Sequence, residues 1–87
     1  MTNAGYKILE LHQTSKPGEI TRGFALAQAV SPKTPCQWVT WRYIDLDDSG
    51  EPDFYSGNYW GSEQTARTDL HQRISDSYTQ HAIKFSF

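Results

Sequence analysis

The acidic residues of the chain are concentrated in one short segment, and their spacing is the first pattern that could do chemistry. Clustered carboxylate oxygens are the ligands that Ca²⁺ prefers, and a glycine at the sixth position of the loop, here Gly50, is typical of an EF-hand. The sequence therefore contains a calcium candidate made of Asp45, Asp47, Ser49, Glu51 and Asp53. Asp48 adds a further carboxylate, and no basic residue lies among them.

Three features of the same segment favour a solvated turn over a calcium site. The twelfth position holds Ser56, where an EF-hand loop has a bidentate glutamate. Strands, not helices, are predicted on both sides, and Pro52 interrupts the loop. The carboxylates also support an electrostatic hypothesis, in which a projecting acidic hairpin tip steers toward a basic partner. Small acidic phage and mobile-element proteins that occupy nucleic-acid-binding surfaces of host proteins provide the analogy.

The rest of the sequence contains no catalytic or metal-binding motif above background. The histidines, His12, His71 and His81, have no metal-ligand spacing, and Cys36 is predicted to be a partly buried small hydrophobe. A Cys36–histidine nucleophile pair would depend on a tertiary contact that a sequence does not specify. The prediction is a non-enzymatic protein without a cofactor, with a small ligand-binding protein or enzyme subunit as an alternative.

Size and composition indicate one small folded domain. A chain of 87 residues buries roughly 60–65% of its unfolded surface, and 14% aromatic residues help it to close a core. The single cysteine excludes an intramolecular disulfide and fits a reducing compartment. No signal peptide or membrane-spanning run is visible, so the expected location is the cytoplasm. A net charge of −2 with scattered basic residues argues against nucleic-acid binding.

The elements that position these residues are predicted in the order β-β-β-β-α-β. Strands are expected at about 6–13, 23–30, 37–45, 53–60 and 81–87, where apolar residues alternate, and a helix at about 62–78. Ser62 is a suitable N-cap for that helix. Its apolar stripe consists of Ala66, Leu70, Ile74 and Tyr78. The predicted fold is α+β, a small antiparallel sheet of 4–5 strands with one amphipathic helix packed on one face.

The two aromatic strands at 37–45 and 53–60 are predicted to form a hairpin that is symmetric about Ser49. In that register one face is apolar throughout and is expected to lie under the helix: Val39, Trp41, Tyr43, Tyr55 and Tyr59. The Trp41 ring would then cover Gly57 on the neighbouring strand. The opposite face is apolar at its ends and polar in the middle, and either terminal residues cover its tryptophans or it is an exposed binding surface.

The leading functional hypothesis is a protein-binding module, in one form an inhibitor or adaptor encoded by a phage or mobile element. Its predicted partner is a protein with a basic surface. The predicted partner-binding residues are Asp45, Asp47, Asp48, Glu51, Asp53, Trp38, Arg42, Phe54 and Trp60. The alternative is a small single-stranded nucleic-acid-binding domain that stacks bases on sheet aromatics. A homodimer through a sheet edge or an aromatic face is also compatible with a small open sheet.

Overall fold

Five antiparallel strands form one sheet, and a long helix follows them. The computed structural model describes the backbone of residues 1–85 and the side chains of residues 1–78. The strands are β1 (Thr2–Asn3), β2 (Tyr6–Gln13), β3 (Thr21–Ala29), β4 (Trp38–Asp45) and β5 (Asp53–Trp60), and the helix is α1 (Glu63–Phe85). Strands that are consecutive in sequence are neighbours in the sheet, in the order β1-β2-β3-β4-β5. The predicted α+β class is confirmed.

The C-terminal segment differs from the prediction. The strand expected at 81–87 is wrong, because α1 continues through Phe85, and residues 86 and 87 lie outside the described residues. The alternation that suggested a strand rests on only three apolar residues. Between Tyr78 and His81 there is no glycine, proline or asparagine to end a helix, so each further residue adds a helical hydrogen bond. The two-residue strand β1 has no counterpart in the prediction.

Local contacts define the start of α1 and tie it to the sheet. The hydroxyl oxygen of Ser62 accepts a hydrogen bond from the backbone N–H of Thr65 at 3.3 Å, as expected of an N-cap. Arg67 pairs with Glu63 on the same helix at 2.8 Å and with Glu10 on β2 at 2.7 Å. The first turns of α1 are therefore held over β2 by an ion pair as well as by packing.

Glu10 makes this contact between helix and sheet dependent on pH. Hydrogen bonds from His12 and then from Arg67 lower the pKa of Glu10 below its ordinary value of 4.5. A carboxyl group with a lowered folded-state pKa stabilises the protein above its unfolded pKa, and that contribution is lost as the pH falls through the folded pKa. We expect Glu10→Gln to lower the free energy of unfolding at neutral pH and to have progressively less effect below pH 4.5. Urea denaturation at a series of pH values measures this difference, and a constant difference would contradict the prediction.

The helix packs on the face of the sheet opposite to the predicted one. Ala66 and Leu70 form a buried cluster with Phe24 and Leu26 of β3, and the half-buried side chains of Trp38, Trp60 and Ile74 pack against it. The predicted partners Val39, Trp41 and Tyr43 belong to a separate cluster on the other face. The prediction of which sheet face carries the helix is therefore wrong. Trp38 and Trp60 lie on the face that α1 covers.

The face that α1 leaves uncovered carries a layer of rings that pack against one another. The rings of Tyr6 and Trp41 meet edge to face with centroids 5.6 Å apart, and Tyr59 contacts both. Ala25 and Ala27 of β3 lie in the same cluster, and their small side chains leave space for these rings. The rings fill the volume that a helix would need, which is the physical reason that α1 lies on the other face. Trp41 is only 4% exposed as a result.

A bulge in β5 reverses the faces of the sheet to which the side chains of its first half point, relative to the predicted register. Val39 pairs with Tyr59 as predicted, but Tyr43 pairs with Phe54 and Arg42 with Tyr55. The irregularity lies around Ser56, whose φ is 52°. A shift of one residue moves side chains to the opposite face, so Phe54 joins the rings and Tyr55 moves to the helix side. The predicted pairing of Tyr43 with Tyr55 is therefore wrong.

The predicted contact between Trp41 and Gly57 is present despite the bulge. A Cβ atom added to Gly57 would lie 2.7 Å from Nε1 of Trp41 and 2.9 Å from its Cδ1. The indole ring therefore lies directly on the bare backbone of β5, which a larger residue at position 57 would prevent.

Candidate functional site

The residues predicted to form one partner-binding surface lie in four separate places. Trp38 and Trp60 are half-buried beneath α1, and the indole N–H of Trp60 has no hydrogen-bond partner among the described residues. Phe54 is on the opposite, uncovered face of the sheet. Arg42 is on the helix side but exposed, beyond the tryptophans. The carboxylates project from the loop between β4 and β5.

Asp45 has a structural role in that loop. It is 7% exposed, and its two carboxylate oxygens accept hydrogen bonds from the backbone N–H groups of Ser49 at 3.0 Å and Gly50 at 2.8 Å. These bonds close the turn, so this carboxylate is occupied within the loop. No group of three or more His, Cys, Asp or Glu side chains within the described part of the chain is placed to hold a metal ion. The loop thus does not gather its carboxylates around one point.

The other four carboxylates of the loop face solvent, and we call them the acidic tip: Asp47, Asp48, Glu51 and Asp53. None of them forms an ion pair with a residue whose side chain the structure describes. Hydrogen bonds, first from the side chain of Ser49, lower the pKa of Asp47, so it stays ionised well into the acid range. The acidic tip is therefore a concentrated and uncompensated negative charge at one end of the sheet.

The uncovered sheet face begins where the acidic tip ends. We call it the open face, and its main side chains are Tyr6, Ile8, Leu11, Trp41, Tyr43, Phe54 and Tyr59. Leu11 is 44% exposed and Tyr59 49% exposed, whereas the rings between them are buried against each other. Phe54 follows Asp53 directly and contacts Trp41 at 5.5 Å between ring centroids. The open face is therefore a packed apolar surface whose Phe54 lines a cleft together with Glu51 of the acidic tip.

A shallow cleft links the acidic tip to the N-terminal residues beside the open face. Its volume is about 290 Å³, and its lining consists of Met1, Thr2, Asn3, Glu51, Pro52 and Phe54. Its lining combines apolar side chains with the carboxylate of Glu51, which suits a partner residue with an apolar stem and a positive end.

No protein-family model matches the chain, and no curated protein or solved structure is significantly similar to it. In the part of the chain that the structure describes, no helix combines the length and the apolar character needed to cross a membrane.

A second feature, a group of arginines on the helix side, is absent from the sequence prediction. The guanidinium carbons of Arg42 and Arg73 lie 5.6 and 5.5 Å from the ring centroid of Phe24. Arg22 precedes Phe24 by two residues on β3 and so points to the same side of the sheet. Phe24 on β3 and Arg42 on β4 are paired across the two strands. The sequence does not reveal this pairing until the register of β3 and β4 is known.

Arg73 is the anchored member of this group. It donates hydrogen bonds to the backbone oxygens of Thr40 at 3.1 Å and Ser56 at 2.8 Å, and the second bond satisfies the carbonyl at the bulge. Burial lowers the pKa of Arg73, the neighbouring charge of Asp69 opposes that effect, and Arg42 adds to it. Asp69 itself accepts hydrogen bonds from the side chains of Thr40 and Asn58. Arg73 is therefore held in place by the backbone and carries its charge next to a second arginine.

Proposed function

We propose that the protein is a non-enzymatic binding module that recognises a partner protein through the open face and the acidic tip together. The observation that supports this proposal is the cleft at Phe54, where the packed aromatic surface meets the exposed carboxylate of Glu51. Protein interfaces commonly combine aromatic anchors at the centre with charged residues at the rim. The acidic tip would raise the association rate with a basic partner, and the exposed side chains of Tyr59 and Leu11 would supply apolar area for the partner to bury.

This surface is a revised form of the sequence-based one. Trp38 and Trp60 are omitted because α1 covers them, and Asp45 is omitted because it closes its own loop. Tyr59 and Leu11 take their place as the exposed apolar residues of the open face. The partner that fits is a protein with an apolar protrusion flanked by lysine or arginine. A cytoplasmic inhibitor or adaptor encoded by a phage or mobile element is one form of this proposal, and it requires the same surface.

The geometry favours a protein partner over single-stranded nucleic acid. Sheet aromatics that stack bases need a positive groove beside them to track the phosphates. Here the charges adjacent to the open face are the carboxylates of the acidic tip, whereas Arg42 and Arg73 lie on the opposite side of the sheet. A phosphate chain on the open face would therefore meet like charge.

Two pairs of variants test the proposal. Tyr59→Ser removes the most exposed ring of the open face, and Tyr78→Ser removes a ring of similar exposure, 55% against 49%, from the helix. Asp47→Asn/Asp48→Asn removes charge from the acidic tip, and Gln64→Lys/Gln72→Lys makes the same net change on the exposed side of α1. Affinity capture from a lysate of the host cell identifies a candidate, and calorimetry with the purified candidate gives the Kd.

We expect Tyr59→Ser to raise the Kd at least about tenfold, as an interface anchor does, and the loss of tip charge mainly to slow association. The two helix-side controls should bind like the wild type. Equal binding by Tyr59→Ser and Tyr78→Ser would remove the open face from the interface. A dimer that light scattering shows to depend on Tyr59 would assign the open face to self-association and so overturn the proposal.

A further inference from the structure

The group of arginines lines a set of adjoining cavities between α1, the sheet and the loop between β2 and β3. Its largest part has a volume of about 320 Å³ and lies between Thr14, Arg22, Ser77 and Tyr78. Two smaller parts, of about 160 and 150 Å³, continue from it along Phe24 and Arg42. Ser77 lines all three parts, so they adjoin one another. Together we call them the arginine cleft.

The arginine cleft is positive although the chain as a whole has a net charge of −2. Its lining has two carboxylates, from Glu19 and Asp76, and four cationic side chains, from Lys16, Arg22, Arg42 and Arg73. Both carboxylates already accept local hydrogen bonds, Glu19 from the backbone N–H of Lys16 at 2.7 Å and Asp76 from the side chain of Gln72 at 2.8 Å. Half of the basic residues of the protein thus converge on one groove.

The arginines of the cleft have no carboxylate partner of their own. Across the side chains of residues 1–78, no ion pair involves Arg22, Arg42 or Arg73. The guanidinium groups of Arg22 and Arg42 also form no hydrogen bond within that range, so their N–H donors point into the groove or to solvent. The charge of Asp69 offsets part of the charge of Arg73, whereas Arg22 and Arg42 have no counter-ion within residues 1–78, and a bound anion would supply one.

We propose that the arginine cleft binds the phosphate group of a small phosphorylated molecule, with Arg22 and Arg42 as the direct contacts. Arg73 is the positioning residue, because its bonds to Thr40 and Ser56 fix its charge at the base of the groove. The hydroxyls of Thr14 and Ser77 line the same groove as neutral donors. The largest part of the cleft lies at the lower end of the range of small-molecule sites, which favours a small ligand over a macromolecule.

A phosphate fits this arrangement better than a carboxylate does. A carboxylate has two oxygens, and one guanidinium group can satisfy both of them in a bidentate pair. A phosphate monoester carries close to two negative charges and three free oxygens, so it can engage several guanidinium groups from different directions. Here those directions are set by three elements, because Arg22 lies on β3, Arg42 on β4 and Arg73 on α1.

Calorimetric titration with inorganic phosphate and with pyrophosphate at constant ionic strength tests the inference. We expect saturable binding, and a Kd that Arg22→Gln and Arg42→Gln each raise about tenfold, which is the effect of one charge-assisted hydrogen bond. Lys33→Gln is the matched control, because it removes the same charge from an exposed position in the loop between β3 and β4. Bound phosphate should also raise the Tm of the wild type and of Lys33→Gln more than that of the arginine variants.

Three results would overturn the inference. The first is the absence of saturation with either phosphate or pyrophosphate, and the second is equal weakening by Lys33→Gln, which would indicate general charge attraction. The third is acetate binding as tightly as phosphate, which would assign the cleft to carboxylates. Arg22→Gln and Arg42→Gln remove no described hydrogen bond, so circular dichroism should show both folded. The cleft and the open face lie on opposite sides of the sheet, and failure of one proposal leaves the other standing.

Discussion

Gly23→Ala is expected to lower the free energy of unfolding by about 3 kcal/mol or more, because the backbone leaves no room for a side chain at this position. A Cβ atom on Gly23 would overlap the carbonyl oxygen of His12, and it would lie 2.8 Å from the carbonyl carbon of His12 and 2.9 Å from Cα of Gln13. These are main-chain atoms of β2. Gly23 is paired with Gln13 on one side and with Tyr43 on the other, so neither strand can move without losing ladder hydrogen bonds.

Gly61→Ala is the matched control for this substitution. No atom lies within 4 Å of a Cβ built at Gly61, and its φ is not in the left-handed region. An alanine there reduces the freedom of the unfolded chain and should be neutral or stabilising by up to about 1 kcal/mol. Urea denaturation followed by circular dichroism measures both changes. For a domain of this size the loss at Gly23 corresponds to a fall in Tm of about 10 °C or more.

Comparison of the two variants distinguishes two reasons for a glycine at position 23: the close approach of the neighbouring backbone and the conformational flexibility of glycine. If Gly23 were present only because glycine is flexible, alanine at position 23 would behave like alanine at position 61. Equal stability of the two variants would mean that β2 and β3 are further apart at this point than the structure shows. Loss of stability at Gly23 alone would support the register from Gln13 to Gly23, which sets the direction of Arg22 and Phe24 in the arginine cleft.

The positions of β2 to β5 were predictable from sequence because apolar alternation and turn residues mark them directly, whereas the strand predicted at 81–87 was wrong. The bounds of β2 and β5 coincide with the predicted ranges 6–13 and 53–60. The face that receives the helix was not predictable in the same way. Both faces of β4 carry large apolar residues, with Trp38 and Ile44 on one and Val39 and Trp41 on the other, so periodicity does not select between them. The choice depends on side-chain volume, since rings over Ala25 and Ala27 fill the space on one side.

The bulge at Ser56 is a second feature that local pattern did not specify. Its stabilisation comes from Arg73, which lies seventeen positions later on α1 and donates to the Ser56 carbonyl. The arginine cleft was missed for the same reason, because its charges come from β3, β4 and α1 and are scattered in sequence. The acidic tip was predictable because all of its residues lie within one short segment, from Asp47 to Asp53. Features formed by one continuous segment could therefore be predicted from the sequence. Features assembled from several segments could be predicted only with knowledge of how the strands pair.

Leu70→Ala is expected to lower the free energy of unfolding by about 2–5 kcal/mol, the usual cost of a cavity at a fully buried leucine. Leu70 is 1% exposed and packs in one cluster with Leu26 of β3, which is 0% exposed. Val39 of β4 is also 0% exposed but belongs to the cluster beneath the open face. Leu26 and Val39 are therefore equally buried on opposite faces of the sheet, and of these two only Leu26 is predicted to interact with Leu70.

Two double-mutant cycles decide which face carries the helix. The effects of Leu70→Ala and Leu26→Ala should be coupled by about 0.5–3 kcal/mol, whereas those of Leu70→Ala and Val39→Ala should add to within about 0.5 kcal/mol. Urea denaturation in the presence of a stabilising osmolyte keeps the double variants folded enough to measure. Coupling to Val39 instead of Leu26 would place α1 over the rings. That result would bury Tyr59, remove the open face as a docking surface and separate Arg73 from Phe24, so both functional proposals depend on the helix packing against Leu26.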